Sequence, residues 1–448
     1  MNIKKLIFSL LLNLILFNIV NSRNKSKTKK STYNAINDLT HNKKDIKSLK
    51  RKLDDEELDI SEFIPVKFYF DTINLKYELE HNGINNLISF ENLIIESLNN
   101  AAKILGRFLT IYDMAAPACS SDFMTDVIEL EVWDEEMINI EKGGNKYFSG
   151  NYTNIVWFKV QSMGNEIASS KIFLNEDSIG RPIAGIIYIN ADIDYSRYSQ
   201  RYLETIMLRQ LTHLLGFHKD ALGLTDEQAN FVGIIKMDSD NKYYVESSQV
   251  IAYAKKYFNC SAIEKIEITI DEDGIPHWPS RILLGDYMAD LIYPEEQVIS
   301  GFTLAFFNDL GFLHVNYSYT GGLMRYGKHK GCKFIENKCI DYESDVLINK
   351  FENDFYYQNT DFENPEPSCS SGRLSKTVHK LLIYSEGEIP TVYRYFPSPH
   401  ELFGGLPLTH FCPVSEYSSY TPETIYDGRC SNENVITDIE KNIFGESF

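Results

Sequence analysis

The stretch Arg201–His218, which reads RYLETIMLRQLTHLLGFH, decides how the rest of this chain folds. Its apolar residues recur at helical spacing and form one broad face, and Gly216 follows the last of them. The pattern therefore predicts a helix over residues 201–215. His213 lies one turn beyond Arg209, so the two side chains share one face of that helix.

This layout matches the frame of the zinc-protease motif H-E-x-x-H, in which two histidines one turn apart bind zinc and the Glu is the general base. Only the second histidine, His213, is present. Arg209 stands at the first ligand position and Gln210 at the general-base position. A guanidinium has no lone pair for a metal, and a carboxamide cannot take up and pass on a proton at neutral pH. We therefore predict a catalytically impaired site.

Charge is unevenly distributed along the chain. Residues 1–52 carry 13 Lys and Arg against two Asp, whereas the other residues carry 31 basic and 61 acidic side chains. A body this acidic argues against nucleic acid or an anionic membrane as the main partner. The hydrophobic content of 43% indicates a folded chain, and 448 residues suffice for two or three domains.

The first 60 residues are predicted to contain a signal peptide followed by a leader segment. Residues 1–22 predict a signal peptide, because Lys4 and Lys5 precede an apolar run of about 15 residues, shorter than the ~20 needed to span a bilayer. Residues 23–60 are basic and predict either a disordered leader or a short pro-segment cut at the basic cluster 50–52. We therefore expect a secreted or cell-surface protein.

The cysteines and glycosylation sequons also suit an oxidising compartment. The seven cysteines are Cys119, Cys260, Cys332, Cys339, Cys369, Cys412 and Cys430, and the sequons begin at Asn24, Asn151, Asn259 and Asn316. An odd number leaves one cysteine without an internal partner, and the connectivity cannot be read from sequence.

Periodicity elsewhere predicts an α+β arrangement. The predicted strands are 66–70, 127–132, 155–160 and 184–189, and the other predicted helices are 89–112, with Ser89 near its N-terminal cap, 247–258 and 296–310. After residue 331 the composition predicts turns and short strands braced by disulfides.

Several blocks, in order, resemble the leishmanolysin-type metallopeptidases from about residue 62 to the end. They are Arg181–Asn190 (RPIAGIIYIN), Leu211–Phe217 (LTHLLGF), Tyr257–Cys260, His277–Trp278, Asp286–Met288, Thr303–Ser318 and Gly331–Phe334. The family has a cysteine just before the first block. This chain lacks it, which would leave Cys119 without a partner.

The resemblance implies a metzincin-like zinc-peptidase fold. Residues 61–218 would form the N-terminal subdomain with the active-site helix. Residues 219–330 would hold an insertion, the third metal ligand at His277, the Met-turn at Met288 and a following helix. Residues 331–448 would form the Cys-containing C-terminal region. The family continues past the end of this chain, so any membrane attachment would depend on a further segment.

Two functions remain open at this stage. One is a secreted or cell-surface pseudo-peptidase that binds peptide or protein, in adhesion or regulation, with zinc weakly bound at His213 and His277 or absent. The other is an active zinc metalloendopeptidase with a non-standard site. The purely structural alternatives are that His213 is an inherited core histidine, that His277 is a surface turn residue and that Met288 only packs in the core. Gln210 and Arg209 could simply hydrogen-bond across the cleft, or Arg209 could pair with an acidic group of a peptide or of the chain itself.

Overall fold

The structure is a computed structural model, and it describes most of the chain between residues 63 and 416. The described residues are 63–82, 87–112, 128–132, 136–140, 152–164, 166–175, 181–195, 198–218, 234–238, 242–271, 274–290, 298–319, 324–336, 341–343, 346–348, 367–369, 376–379, 381–396, 398 and 401–416. The predicted signal peptide and leader and Cys119 lie outside them.

Helices and strands alternate along the chain. The first part contains β1 (Phe63–Pro65), β2 (Phe68–Phe70), α1 (Thr72–His81), α2 (Leu87–Phe108), β3 (Leu109–Tyr112), β4 (Ile128–Val132), β5 (Glu136–Ile140), β6 (Asn154–Gln161), β7 (Ala168–Asn175), β8 (Pro182–Asn190) and α3 (Gln200–Leu214). The middle part contains β9 (Ile235–Met237), β10 (Tyr243–Val245), α4 (Ser248–Phe258), β11 (Ile266–Ile270), β12 (Pro276–His277), α5 (Ser280–Leu283), α6 (Gly301–Leu310) and β13 (His314–Val315). The last part contains α7 (Cys332–Glu336), β14 (Asp341–Glu343), β15 (Val346–Ile348), β16 (Pro367–Cys369), β17 (Lys376–His379), β18 (Leu382–Ile383), β19 (Phe403–Gly404) and β20 (Ser415–Glu416). The α+β prediction is confirmed.

A four-stranded sheet in the order β2-β6-β8-β7 packs against α3, the helix that carries Arg209, Gln210 and His213. β2, β6 and β8 run parallel, and β7 runs antiparallel to β8 at the edge. β6 and β8 are buried along nearly their whole length, as expected of strands covered on both faces. Gly185 in β8 lets the helix approach closely, because a Cβ there would lie 2.4 Å from a methyl carbon of Leu214.

The active-site helix α3 lies in the core. Ser199 caps its first turn, since its Oγ accepts a hydrogen bond from the backbone N–H of Tyr202. Apart from Glu204, its residues are buried from Leu203 to Leu214. The helix ends at Leu214 and Gly216 follows with φ of 115°, a conformation that favours glycine. The predicted helix is confirmed to within one residue at each end.

A second sheet, in the order β12-β11-β10-β9, positions the segment that carries His277. A disulfide joins Cys260, just after α4, to Cys332 at the start of α7, and Cys412 is also disulfide-bonded. Cys332 therefore pairs with a cysteine 72 residues away and not with its sequence neighbour Cys339. Within the described residues, no helix has both the length and the apolar character needed to cross a bilayer.

Some predicted boundaries were wrong. The helix α2 ends at Phe108, because residues 109–112 leave it to form β3, which pairs with β1 and β13. Ser89 lies inside that helix, so it is not the N-terminal cap. α6 begins at Gly301, capped by Ser300, and not at residue 296. The predicted strand 66–70 is shorter than expected, since only residues 68–70 form β2.

Candidate active site

The turn 286–290 forms the floor of the site. The backbone N–H of Met288 donates to Asp286 at 2.6 Å, and its carbonyl accepts from the N–H of Trp278 at 2.9 Å. Thr303 donates to the same Asp286 carboxylate at 3.0 Å, which helps to satisfy this buried group. Met288 is fully buried. These bonds hold the turn against the segment that carries His277, and the packing interpretation of Met288 agrees with its burial.

His213 is a buried, neutral imidazole. Its Nδ1 lies 2.7 Å from the carbonyl oxygen of Phe217, and a carbonyl can only accept, so Nδ1 carries the proton. Burial, helped by the charge of Arg209, lowers the pKa of His213 to about 3. Nε2 therefore carries a lone pair at neutral pH. This is how a metal-binding histidine is usually oriented, but it equally describes a satisfied core histidine.

His277 lies beside His213, with the two ring centroids 5.2 Å apart. It occupies β12 with its side chain 15% exposed, so the alternative of a surface turn residue is wrong. Its Nδ1 is 3.7 Å from Asp290, whose carboxylate also accepts the hydroxyl of Thr269 at 2.7 Å. Burial lowers the pKa of His277 well below its ordinary value, and Arg209 adds to this effect. Both histidines are therefore neutral near pH 7.

Arg209 reaches from α3 to the turn. Its Nη1 donates hydrogen bonds to the carbonyl oxygens of Tyr287 at 2.8 Å and Ala289 at 2.7 Å. Burial lowers the pKa of Arg209 and the charge of Asp290 opposes this, but a guanidinium stays protonated in proteins. Within the described part of the chain, neither Nε nor Nη2 has an acceptor. Of the alternatives left open, hydrogen bonding across the site describes Arg209.

A second bond ties the same helix to the turn. The hydroxyl of Thr212 donates to the carbonyl of Leu208 at 2.7 Å, so the Tyr287 hydroxyl, 2.9 Å away, donates to Thr212. Burial raises the pKa of Tyr287, which keeps that hydroxyl protonated. Together with Arg209, this bond fixes helix and turn at two points.

Gln210 faces the edge strand of the sheet. Its Nε2 donates to the carbonyl of Ala168 in β7 at 3.0 Å. A glutamate at this position could not donate that bond, since a carboxylate only accepts. The side chain at the general-base position thus joins the helix to the strand.

The residues present do not fit the zinc group that the resemblance implies. A catalytic zinc needs three protein ligands and an open position. His213 and His277 offer two imidazole nitrogens, whereas the first ligand position holds the cation of Arg209, which repels a divalent ion. In the described ranges, no group of three or more His, Cys, Asp or Glu is placed to hold a metal ion.

Comparison with known proteins then gives the family. The family model described as leishmanolysin matches residues 153–446, which is more than half of the chain. This chain belongs to the leishmanolysin family. The match includes α3, the histidine pair and the Met-turn.

Curated relatives agree with this assignment. Leishmanolysin of Leishmania chagasi is 27% identical over 241 residues, which cover 53% of this chain and 38% of that protein. The ciliated left-right organizer metallopeptidase of Xenopus laevis is 26% identical over 275 residues, covering 58% of this chain and 37% of that protein. The leishmanolysin-like peptidase of Drosophila melanogaster is 28% identical over 217 residues, covering 45% of this chain and 31% of that protein. The matched part of the chain therefore spans between 31% and 38% of the length of these relatives.

Sequence reasoning singled out Arg209, Gln210, His213, His277 and Met288, and the structure brings all five to one place. It did not find the partners that hold them. Tyr287 directly precedes Met288 and Asp290 follows it closely, and an acidic or hydroxyl residue next to a Met-turn was the available signal.

Proposed function

We propose that this leishmanolysin-family protein binds peptide or protein segments beside its active-site helix without hydrolysing them. The observation that carries the proposal is the placement of Arg209. Its guanidinium occupies the first ligand position and is held there by two backbone carbonyls of the Met-turn. Such a cation supplies no ligand and repels the metal that the family's chemistry requires.

The general-base position supports the same conclusion. The family's hydrolysis requires a base that takes a proton from the attacking water, and a carboxamide cannot do so. Gln210 is moreover hydrogen-bonded through Nε2 to the carbonyl of Ala168, which directs its amide at the strand. Because ligand and base act as one unit, losing both removes nearly all of the activity.

Peptide binding is supported by the strand that borders the site. Among the described residues β7 stands at the edge of its sheet and pairs with β8, which leaves one side of its backbone for an extended segment. Addition of a strand to a sheet edge is a recurring mode of peptide recognition. A protein that binds peptides without cutting them needs the family fold around the site, but it does not need the first zinc ligand or the general base.

Export is part of the proposal. The apolar segment after Lys4 and Lys5, the Cys260–Cys332 disulfide and the family membership all favour a secreted or cell-surface protein. We infer a role in adhesion or regulation, with a peptide or protein as partner and not a nucleic acid.

One observation favours the alternative of an active zinc endopeptidase. His213 and His277 lie side by side, with each Nδ1 directed at an oxygen, so both Nε2 atoms could bind a metal. Two ligands next to a fixed cation would hold zinc weakly, which makes this the second candidate.

A reversion experiment tests the proposal. A peptide library is digested with the wild-type chain and with the double variant Arg209→His, Gln210→Glu, each with zinc and with a chelator. We expect no chelator-sensitive cleavage by the wild type and a gain by the double variant. Gln200→Glu with Arg201→His makes the same chemical changes at the exposed start of α3 and should gain nothing. Chelator-sensitive cleavage by the wild type would refute the proposal, whatever the variants do.

A further inference from the structure

The guanidinium of Arg209 is a buried charge with an unused donor edge. The residue is 9% exposed, and both of its hydrogen bonds leave from Nη1. Nε–H and the adjacent Nη2–H point in parallel, and no acceptor contacts them among the described residues. This parallel pair of donors is the edge that binds both oxygens of a carboxylate.

Among the described residues Arg209 has no direct ion-pair partner, although the nearby carboxylates of Asp290 and Asp286 stabilise its charge electrostatically. In the described ranges, no carboxylate lies within ion-pair distance of Arg209. Asp286 is engaged by Met288, Ser300 and Thr303. Asp290 is engaged by Thr269. Neither aspartate bonds to the free edge of the guanidinium, so a carboxylate bound there would add charge-assisted hydrogen bonds that the described chain does not supply.

The neighbouring imidazole defines what else the ligand carries. His213 lies one turn further along the same helix face, and its Nε2 has a lone pair because its proton is on Nδ1. It can therefore accept a hydrogen bond but cannot donate one to an anion. A carboxylate with an N–H group close by, as in a peptide, complements this pair of a donor edge and an acceptor nitrogen.

From this geometry we propose that the former metal position is a carboxylate-binding site for peptides, in which Arg209 binds both carboxylate oxygens. The inference rests on the proposed function, since it names the ligand class of a non-hydrolysing site. The rest of the chain is strongly acidic, so the ligand carries one carboxylate among neutral or basic residues and is not a polyacidic segment. The carboxylate belongs either to a peptide C-terminus or to an acidic side chain.

Matched peptide probes test this with the unaltered protein. Four N-acetylated pentapeptides built on alanine and one lysine are titrated into the full chain, and binding is measured by calorimetry. One pair differs only in a free or an amidated C-terminus. The other pair is amidated and differs only in a central Glu or Gln. In at least one pair we expect the carboxylate form to bind roughly tenfold or more tightly, because a hydrogen-bonded charge pair is lost in the neutral form. The pair that responds identifies the source of the carboxylate.

Variants locate the effect. Arg209→Gln should abolish the preference, whereas Arg201→Gln removes the same charge from the exposed start of α3 and should keep it. Equal binding of carboxylate and neutral probes to the wild type, or no binding of either, would overturn the inference even if the Arg209 variant failed to fold. Failure of the proposed function is distinguishable, because it would show as chelator-sensitive cleavage in the digestion assay.

Discussion

Arg209 cross-links two parts of the candidate site. Two charge-assisted hydrogen bonds join the helix α3 to the carbonyls of Tyr287 and Ala289. The sequence predicted that this position could not bind zinc, since a guanidinium has no lone pair. It could not predict the direction of the side chain, because that depends on carbonyls about 80 residues away.

Removing this cross-link should weaken the fold. We expect Arg209→Ala to lower the free energy of unfolding by about 1–3 kcal/mol, because it leaves two buried carbonyls without a donor. Urea denaturation measures the change. Arg201→Ala, at the exposed start of the same helix, should stay within about 0.5 kcal/mol of wild type. Equal losses from the two variants would mean that the hydrogen bonds to the turn contribute nothing.

At the scale of elements, the sequence predicted the helix α3 well, but it did not predict the strand β7 or the boundary between α2 and β3. The helix α3 was predicted closely because Gly216 follows a strong apolar period, and Ser199, which caps the first turn, is a further signal at its start. β7 was not predicted, since ASSKIFLN shows only a weak alternation and its pairing with β8 is irregular. The continuation of α2 into β3 was missed because residues 109–112 are largely apolar in either conformation, and long-range pairing with β1 decides between them.

The cap of α4 comes from another helix. The carboxylate of Asp309 in α6 accepts from the backbone N–H groups of Gln249 and Val250, whereas the Ser247 hydroxyl at the cap position makes no cap bond. We expect Asp309→Ala to cost about 1–2 kcal/mol and Ser247→Ala less than about 0.5 kcal/mol, measured by urea denaturation. A larger effect of the serine variant would contradict this assignment.

At the scale of the whole molecule, the C-terminal region docks close to the site. His410 lies 3.4 Å from Glu267 in β11, and Arg281, which follows the segment of His277, donates to the same carboxylate at 3.0 Å. The imidazole ring of His410 stacks on the ring of Tyr393. This cluster connects the C-terminal region to the sheet that positions His277. Sequence periodicity gave no signal for it, because His410, Glu267 and Arg281 come from separate segments of the chain.

This cluster makes stability depend on pH. Burial lowers the pKa of His410 to about 4, with Glu267 opposing the shift and Arg281 and Lys242 adding to it. Between pH 6.5 and 4 the unfolded chain therefore binds a proton that the folded chain does not, and stability falls as pH falls through this window.

The variant His410→Asn is chosen because Asn tolerates the positive φ at this position. Between pH 7 and pH 4.5, its free energy of unfolding should fall by about 2–3 kcal/mol less than that of the wild type. Urea denaturation at pH 7 and pH 4.5 measures it. His213 and His277 contribute in the same direction in both proteins and cancel in the comparison. An identical pH dependence in wild type and variant would show that His410 is not held neutral.

The most direct test of the central claim is the zinc content of the purified wild-type chain after incubation with zinc and gel filtration, measured together with peptide cleavage before and after chelation. With Arg209 at the first ligand position, well under one zinc per chain should be retained, and no cleavage should depend on it. One tightly retained zinc per chain, with turnover that disappears when the ion is stripped out, would contradict the account.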